Sequence, residues 1–77
     1  MMPQLTLYTR TGCHLCEQVE DLLALHAPSC RLVDVDADET IRQTYGLRVP
    51  VLAWGETVLL EGRIEEQDLL PLLTSLP

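Results

Sequence analysis

Tyr8-Thr-Arg-Thr-Gly-Cys-His-Leu-Cys16 follows directly on a short apolar run, Leu5-Thr-Leu-Tyr8, and its reading decides the fold. Leu5 to Thr9 reads as a strand and Thr11-Gly12 as the turn leaving it; from Cys13 onward the apolar period becomes helical. Val19, Leu22, Leu23 and His26 or Ala27 share one stripe, while Glu17, Glu20 and Asp21 lie elsewhere. Cys13 and Cys16 therefore fall where a strand hands over to a helix. Two cysteines two residues apart at such a junction have the arrangement that thiol–disulfide exchange requires. A free thiol has a pKa near ~8.5, and a helix N-terminus in such a motif lowers it to between roughly 3.5 and 7.5. By position Cys13 is expected at or beside the N-cap with an exposed sulfur, as nucleophile. Cys16, one turn inside and more shielded, is expected to resolve the mixed disulfide.

Working outward, Pro28 ends the first helix, and Cys30-Arg-Leu-Val-Asp-Val35 reads as a second strand. A strand–helix–strand crossover makes the two strands parallel and right-handed. Asp36-Ala-Asp-Glu39 offers an acidic helix start, with Asp36 and Glu39 spaced as in a capping box. Ile41 and Tyr45 form that helix's apolar face, and Gly46 suits a left-handed C′ position. Val49-Pro50-Val51 opens another apolar run. Val51 to Trp54, Gly55-Glu56 and Thr57 to Leu60 read as a hairpin, with glycine where a type II′ turn needs it. Leu69, Leu72, Leu73 and Leu76 recur at helical spacing, and Pro71 sits either in the first turns of that last helix or at a kink in it.

The chain of 77 residues has room for one domain, expected over 1–77, with a thin core. Its net charge is −7, with five arginines and no lysine. That balance argues against nucleic acid, whose phosphates need a clustered basic surface, and against an anionic membrane surface. No apolar run approaches the ~20 residues of a bilayer span. Met1-Met2-Pro3-Gln4 has neither a basic nor an apolar signal region, so a cytoplasmic location is expected. In that reducing compartment a Cys-x-x-Cys pair cycles or binds metal rather than acting as a staple.

The Leu-Tyr-x-Arg-x-x-Cys-x-x-Cys start, the Tyr45-Gly46 helix end, Val49-Pro50 and the final amphipathic helix resemble the glutaredoxins, and most closely the short bacterial glutaredoxin-like proteins. The resemblance spans nearly the whole chain. The order β-α-β-α-β-β-α is that of the minimal thioredoxin fold, an α/β architecture. The resemblance implies a four-stranded mixed sheet, with the first helix on one face and the second on the other. It also implies a thiol–disulfide oxidoreductase acting in cell redox homeostasis, with Cys13 and Cys16 catalytic. A cis peptide bond is implied at Val49-Pro50, facing the cysteines and leaving Val49 backbone groups to hold a peptide or glutathione substrate. No tightly bound cofactor is implied, glutathione is a candidate cosubstrate, and the expected partner is a disulfide-containing protein or glutathione met by a monomer.

The chain departs from the family at His14, at Arg48 and in the segment after the fourth strand, and matches it at Arg10. His14 stands where glutaredoxins usually carry proline and an aromatic residue; protonated, it would stabilise the Cys13 thiolate, and otherwise it is a solvated loop residue. Glu17 and Glu20 work the other way. Arg10 lies where the family places a basic residue that approaches glutathione; it is a candidate anion contact or an ordinary solvated arginine, with Arg42 and Arg48 weaker candidates. Arg48 replaces the family's threonine before Val49-Pro50. The Gly-Gly and aspartate turn that glutathione-using relatives carry is replaced by Leu60-Glu-Gly-Arg-Ile-Glu-Glu-Gln-Asp68, where Gly62 and Arg63 sit among acids.

Three other readings compete. Cys13, Cys16, His26 and Cys30 superficially match a zinc spacing. If residues 14 to 26 are helical at ~1.5 Å per residue, however, His26 lies roughly 18 Å from His14, too far for one ion. That leaves His26 at a helix C-terminus and Cys30 as a small buried strand residue, with no metal ligand expected. An iron–sulfur cluster bridging two protomers mostly uses a single active-site cysteine. The last reading is a non-catalytic adaptor whose thiols idle.

Overall fold

The computed structural model describes residues 3–76, so the Met1-Met2 start lies outside the described residues. In chain order the elements are β1 (Leu5–Thr9), α1 (His14–His26), β2 (Arg31–Asp34), a 3₁₀ turn (Val35–Ala37), α2 (Glu39–Tyr45), β3 (Val51–Trp54), β4 (Thr57–Glu61) and α3 (Glu66–Ser75). The sheet order is β2-β1-β3-β4. β1 runs parallel to β2 and antiparallel to β3, and β3 is antiparallel to β4. This is the four-stranded mixed sheet of the minimal thioredoxin fold.

Strand alternation assigns the two faces of the sheet. Leu5 and Leu7 of β1 and Leu52 of β3 join Val19 and Leu23 of α1, Ile64, and Leu69 of α3 in the buried core. Both long helices therefore lie on one face. The opposite side chain, Tyr8, stacks on Tyr45 of α2 with ring centroids 4.0 Å apart, which places α2 on the other face. Fully buried Val35 and Val51 lie outside the main cluster. Between Leu52 and Ala53 the β3–β4 register slips by one, leaving Leu59 as the extra residue of a bulge. The break in alternation lets both Leu59 and Leu60 pack on the core.

Gly55 has φ +61 and, among the described residues, no non-glycine residue has positive φ, so the Gly55-Glu56 hairpin is of the II′ kind. Other local expectations need correction. The cap of α2 is Asp38, whose carboxylate accepts from Ile41 N–H at 3.0 Å, and not Asp36. The 3₁₀ turn shifts the start of the helix: Asp34 takes the Asp36 N–H at 2.9 Å, and this frees the Asp36 side chain for another partner. Gly46 is right-handed, at φ −56, rather than left-handed. Its lack of a side chain serves close approach, since a Cβ there would meet Arg42 O at 2.5 Å and Arg10 Nη2 at 3.2 Å. β2 begins at Arg31, so Cys30 is a half-buried residue just before the strand. Pro71 is the sixth residue of α3, inside the helix, and Leu76 is its C-cap.

Candidate active site

The site begins with a turn. Cys13 N–H donates to Arg10 O at 3.3 Å, and Gly12 has φ +80, the third-position requirement of a type II turn. The chain thus leaves β1, reverses over Thr11-Gly12 and enters α1 with Cys13 as N-cap. A serine or aspartate oxygen usually fills this role; here the Cys13 sulfur accepts from Cys16 N–H at 3.2 Å. The Cys16 N–H and the positive end of a 13-residue helix therefore lie at Cys13 Sγ. Cys13 is half-buried, less open than its position suggests, and Cys16 is fully buried. The two sulfurs are joined as a disulfide with a Cα–Cα distance of 5.2 Å.

The sheet brings the second segment alongside. Tyr8 pairs with Val51 across β1 and β3, so Pro50 continues β3 beside the end of β1 where the dithiol turn starts. The Val49–Pro50 peptide is cis. Pro50 is buried and its carbonyl accepts from Gly62 N–H at 2.9 Å. Among the described residues, Val49 N–H and C=O take no hydrogen-bond partner, so both groups are available to an extended chain laid beside them.

Arg10 has an internal partner that neither expectation for it included. Its guanidinium bonds both Asp36 carboxylate oxygens, at 2.8 and 3.0 Å, and the Gly46 carbonyl at 2.9 Å. The bridge ties the dithiol turn to the 3₁₀ turn and the end of α2, and it holds the Asp36 carboxyl below its ordinary range. Arg48 pairs with Glu61 at 2.8 Å and lies over the Tyr45 ring. Arg42 pairs with Glu39. Burial, then the neighbouring Tyr45, raises the Tyr8 hydroxyl above its usual value. His14 is exposed at the first position of α1, and Glu20 accepts from Thr9 Oγ1 at 2.7 Å. Asp36 and Glu61 escaped the sequence reading because they lie 26 and 13 residues from the arginines they hold, beyond any local pattern.

His26 and Cys30 take no part in this site. His26 ends α1 and lies 2.7 Å from Glu66 Oε2 on α3. Cys30 borders an apolar cleft with Leu23, Ala27 and Leu32, and burial pushes its thiol up to about 11. Among the described residues no three His, Cys, Asp or Glu side chains gather as metal ligands, so the zinc spacing is not assembled in space. No helix among them is long and apolar enough to cross a membrane.

Structural comparison places the chain beside three others. The X. campestris protein XcR50 shares 38% identity and a TM-score of 0.79, over 95% of this chain and 99% of its own. Protein Ne2328 from Nitrosomonas europaea shares 26% identity with a TM-score of 0.66, over 95% and 92%. A malarial protein, 18% identical with a TM-score of 0.54 over 96% of each chain, has a similar fold. No curated protein matches the chain. The glutaredoxin-like domain profile (DUF836) matches residues 4–74, and the chain belongs to that family.

Proposed function

We propose that this protein is a thiol–disulfide oxidoreductase in which Cys13 and Cys16 carry the exchange. The observation supporting the reading best is the Cys13–Cys16 disulfide at the start of α1, with Cys13 Sγ accepting from the Cys16 N–H and Cys16 buried beneath. In the reduced protein that donor and the positive end of the helix favour a thiolate at Cys13 over a thiol. The Cys13 thiolate attacks one sulfur of a substrate disulfide, forms a mixed disulfide and expels the other sulfur as thiolate. Cys16 then gives up its proton to solvent and attacks Cys13 Sγ. This step reforms the Cys13–Cys16 bond and releases the second substrate thiolate. Two electrons pass from the dithiol to the substrate, and an external thiol reductant returns them.

Val49 and Pro50 hold the substrate chain beside the dithiol through the two available Val49 backbone groups. His14, exposed next to the nucleophile, adds a cationic tuning group when protonated. Arg10 serves as a brace for the dithiol turn, since all three of its guanidinium nitrogens are engaged within the chain. Its neutralised charge makes it a poor contact for glutathione. The exchange reading predicts that Cys16→Ser accumulates a stable mixed disulfide at Cys13 on exposure to a disulfide, whereas Cys13→Ser loses reductase activity. Full activity in Cys13→Ser would overturn it.

A further inference from the structure

Three arginines that border the dithiol turn or the loop leading to Val49 have carboxylate partners: Arg10 with Asp36, Arg42 with Glu39, and Arg48 with Glu61. Acids without an ion pair border the same turn. Glu17 and Glu20 line the hollow beside it with Asp34, Thr9 and Gly12, and the one cation in that hollow is Arg10. Among the described residues only Arg31 and Arg63 have no carboxylate within ion-pair reach. Arg31 lies at the far end of β2, opposite Thr6. Arg63 follows Gly62, whose N–H donates to the Pro50 carbonyl, and among the described residues it is the one unpaired arginine beside that segment, with Glu65 and Glu66 close by in the chain. A substrate approaching Cys13 therefore meets net negative charge, within a chain of net charge −7.

Building on the exchange reading, we propose that the substrate is a disulfide on a protein segment flanked by cationic residues, and that anionic glutathione disulfide is disfavoured. The discrimination is electrostatic. Charge of one sign around a site raises the local concentration of oppositely charged reactants and speeds their encounter. The available Val49 N–H and C=O can pair with the backbone of an extended peptide or of glutathione alike, so the choice between them rests on charge. Leu47, wholly exposed two residues earlier, gives such a peptide an apolar contact. The chemistry is the exchange already described: one substrate S–S bond is broken, two substrate thiols form, and the Cys13–Cys16 disulfide forms in their place.

The test uses the reduced full chain, with Cys30→Ser to leave one dithiol. Its rate of oxidation is followed with three peptide disulfides that differ only in lysine, serine or glutamate flanks, and with glutathione disulfide. Each rate is divided by that of neutral 2-mercaptoethanol with the same disulfide, which removes intrinsic differences among the disulfides. At low salt the lysine-flanked peptide is expected to exceed the glutamate-flanked peptide and glutathione disulfide by about tenfold. In about 1 M salt, where the screening length falls to about 3 Å, the spread should collapse to about twofold or less. Glu17→Gln should narrow the spread at low salt, because the thiol's own reactivity cancels in the ratio. Equal or faster reaction with glutathione disulfide at low salt would overturn the charge selectivity and leave the exchange reading intact. Absence of reaction with all four would overturn both.

Discussion

Cys13 and Cys16 are the residues whose placement could be read locally, because three chain positions on a helix start fix both the spacing and the orientation of two thiols. The third cysteine follows different physics. Cys30 is half-buried against α1, and its thiol is pushed up to about 11 by desolvation. At about pH 8 roughly one Cys30 in a thousand is then thiolate. In the reduced protein, limiting iodoacetamide should label Cys13 and leave Cys30 unmodified, as peptide mass mapping would reveal; Cys30 labelled at a comparable rate would contradict its burial. Arg10 was recognisable as a residue of interest, but its partner was not, since Asp36 reaches it only after the chain has run through α1 and β2. Gly46 is a related case. Its φ of −56 suits any residue, so alanine would ordinarily stabilise, yet a Cβ would press on Arg42 O and the Arg10 guanidinium. Gly46→Ala should therefore destabilise by about 1–3 kcal/mol in urea unfolding. A stabilised variant would contradict the close approach.

The elements were legible where periodicity was strong, and their boundaries were less so. α1 and the hairpin carry unambiguous patterns, and both form as read. The start of α2 was misplaced by two residues because Asp34, Asp36 and Asp38 are all competent caps, and the 3₁₀ turn consumes the first before the helix takes the last. Pro71 could not be placed from the leucine spacing, which is satisfied either way. It lies inside α3, where it has no N–H to donate to the Gln67 carbonyl one turn earlier. Its side chain is exposed, so alanine there removes a backbone defect without opening a cavity. Pro71→Ala should raise stability by about 1–3 kcal/mol, the interior proline penalty less the entropy the ring removes from the unfolded chain. A lower melting temperature would contradict the helical placement of Pro71.

At the scale of the whole molecule, the β1–α1–β2 crossover and the β3–β4 hairpin were legible from short, sharply bounded segments, whereas the β1–β3 pairing, which separates β2 from β3, followed only from the family resemblance. The distribution of charge was not legible, since ion pairing depends on which loops the fold brings together. Asp36, Glu39 and Glu61 are each held below the usual carboxylate range, chiefly by hydrogen bonds from Arg10, Arg42 and Arg48. A depressed folded-state pKa contributes stability that is present above the unfolded value, near ~4, and is lost as pH falls through the folded value. The melting temperature should therefore fall as the solution is acidified below about pH 4, and the fall should be shallower in Asp36→Asn. Because these groups are exposed, the difference should shrink in high salt. Superimposable curves for the two proteins would contradict a contribution from the Arg10–Asp36 bridge.

The central claim is that the fold makes Cys13 an activated nucleophile. The most direct test is the pH dependence of Cys13 alkylation in reduced Cys30→Ser protein. An apparent pKa well below the ~8.5 of a free thiol is expected, because the N-terminus of α1, with the Cys16 N–H, meets the sulfur. A value at or above ~8.5 would contradict the claim and leave the pair as an idle dithiol on a binding scaffold.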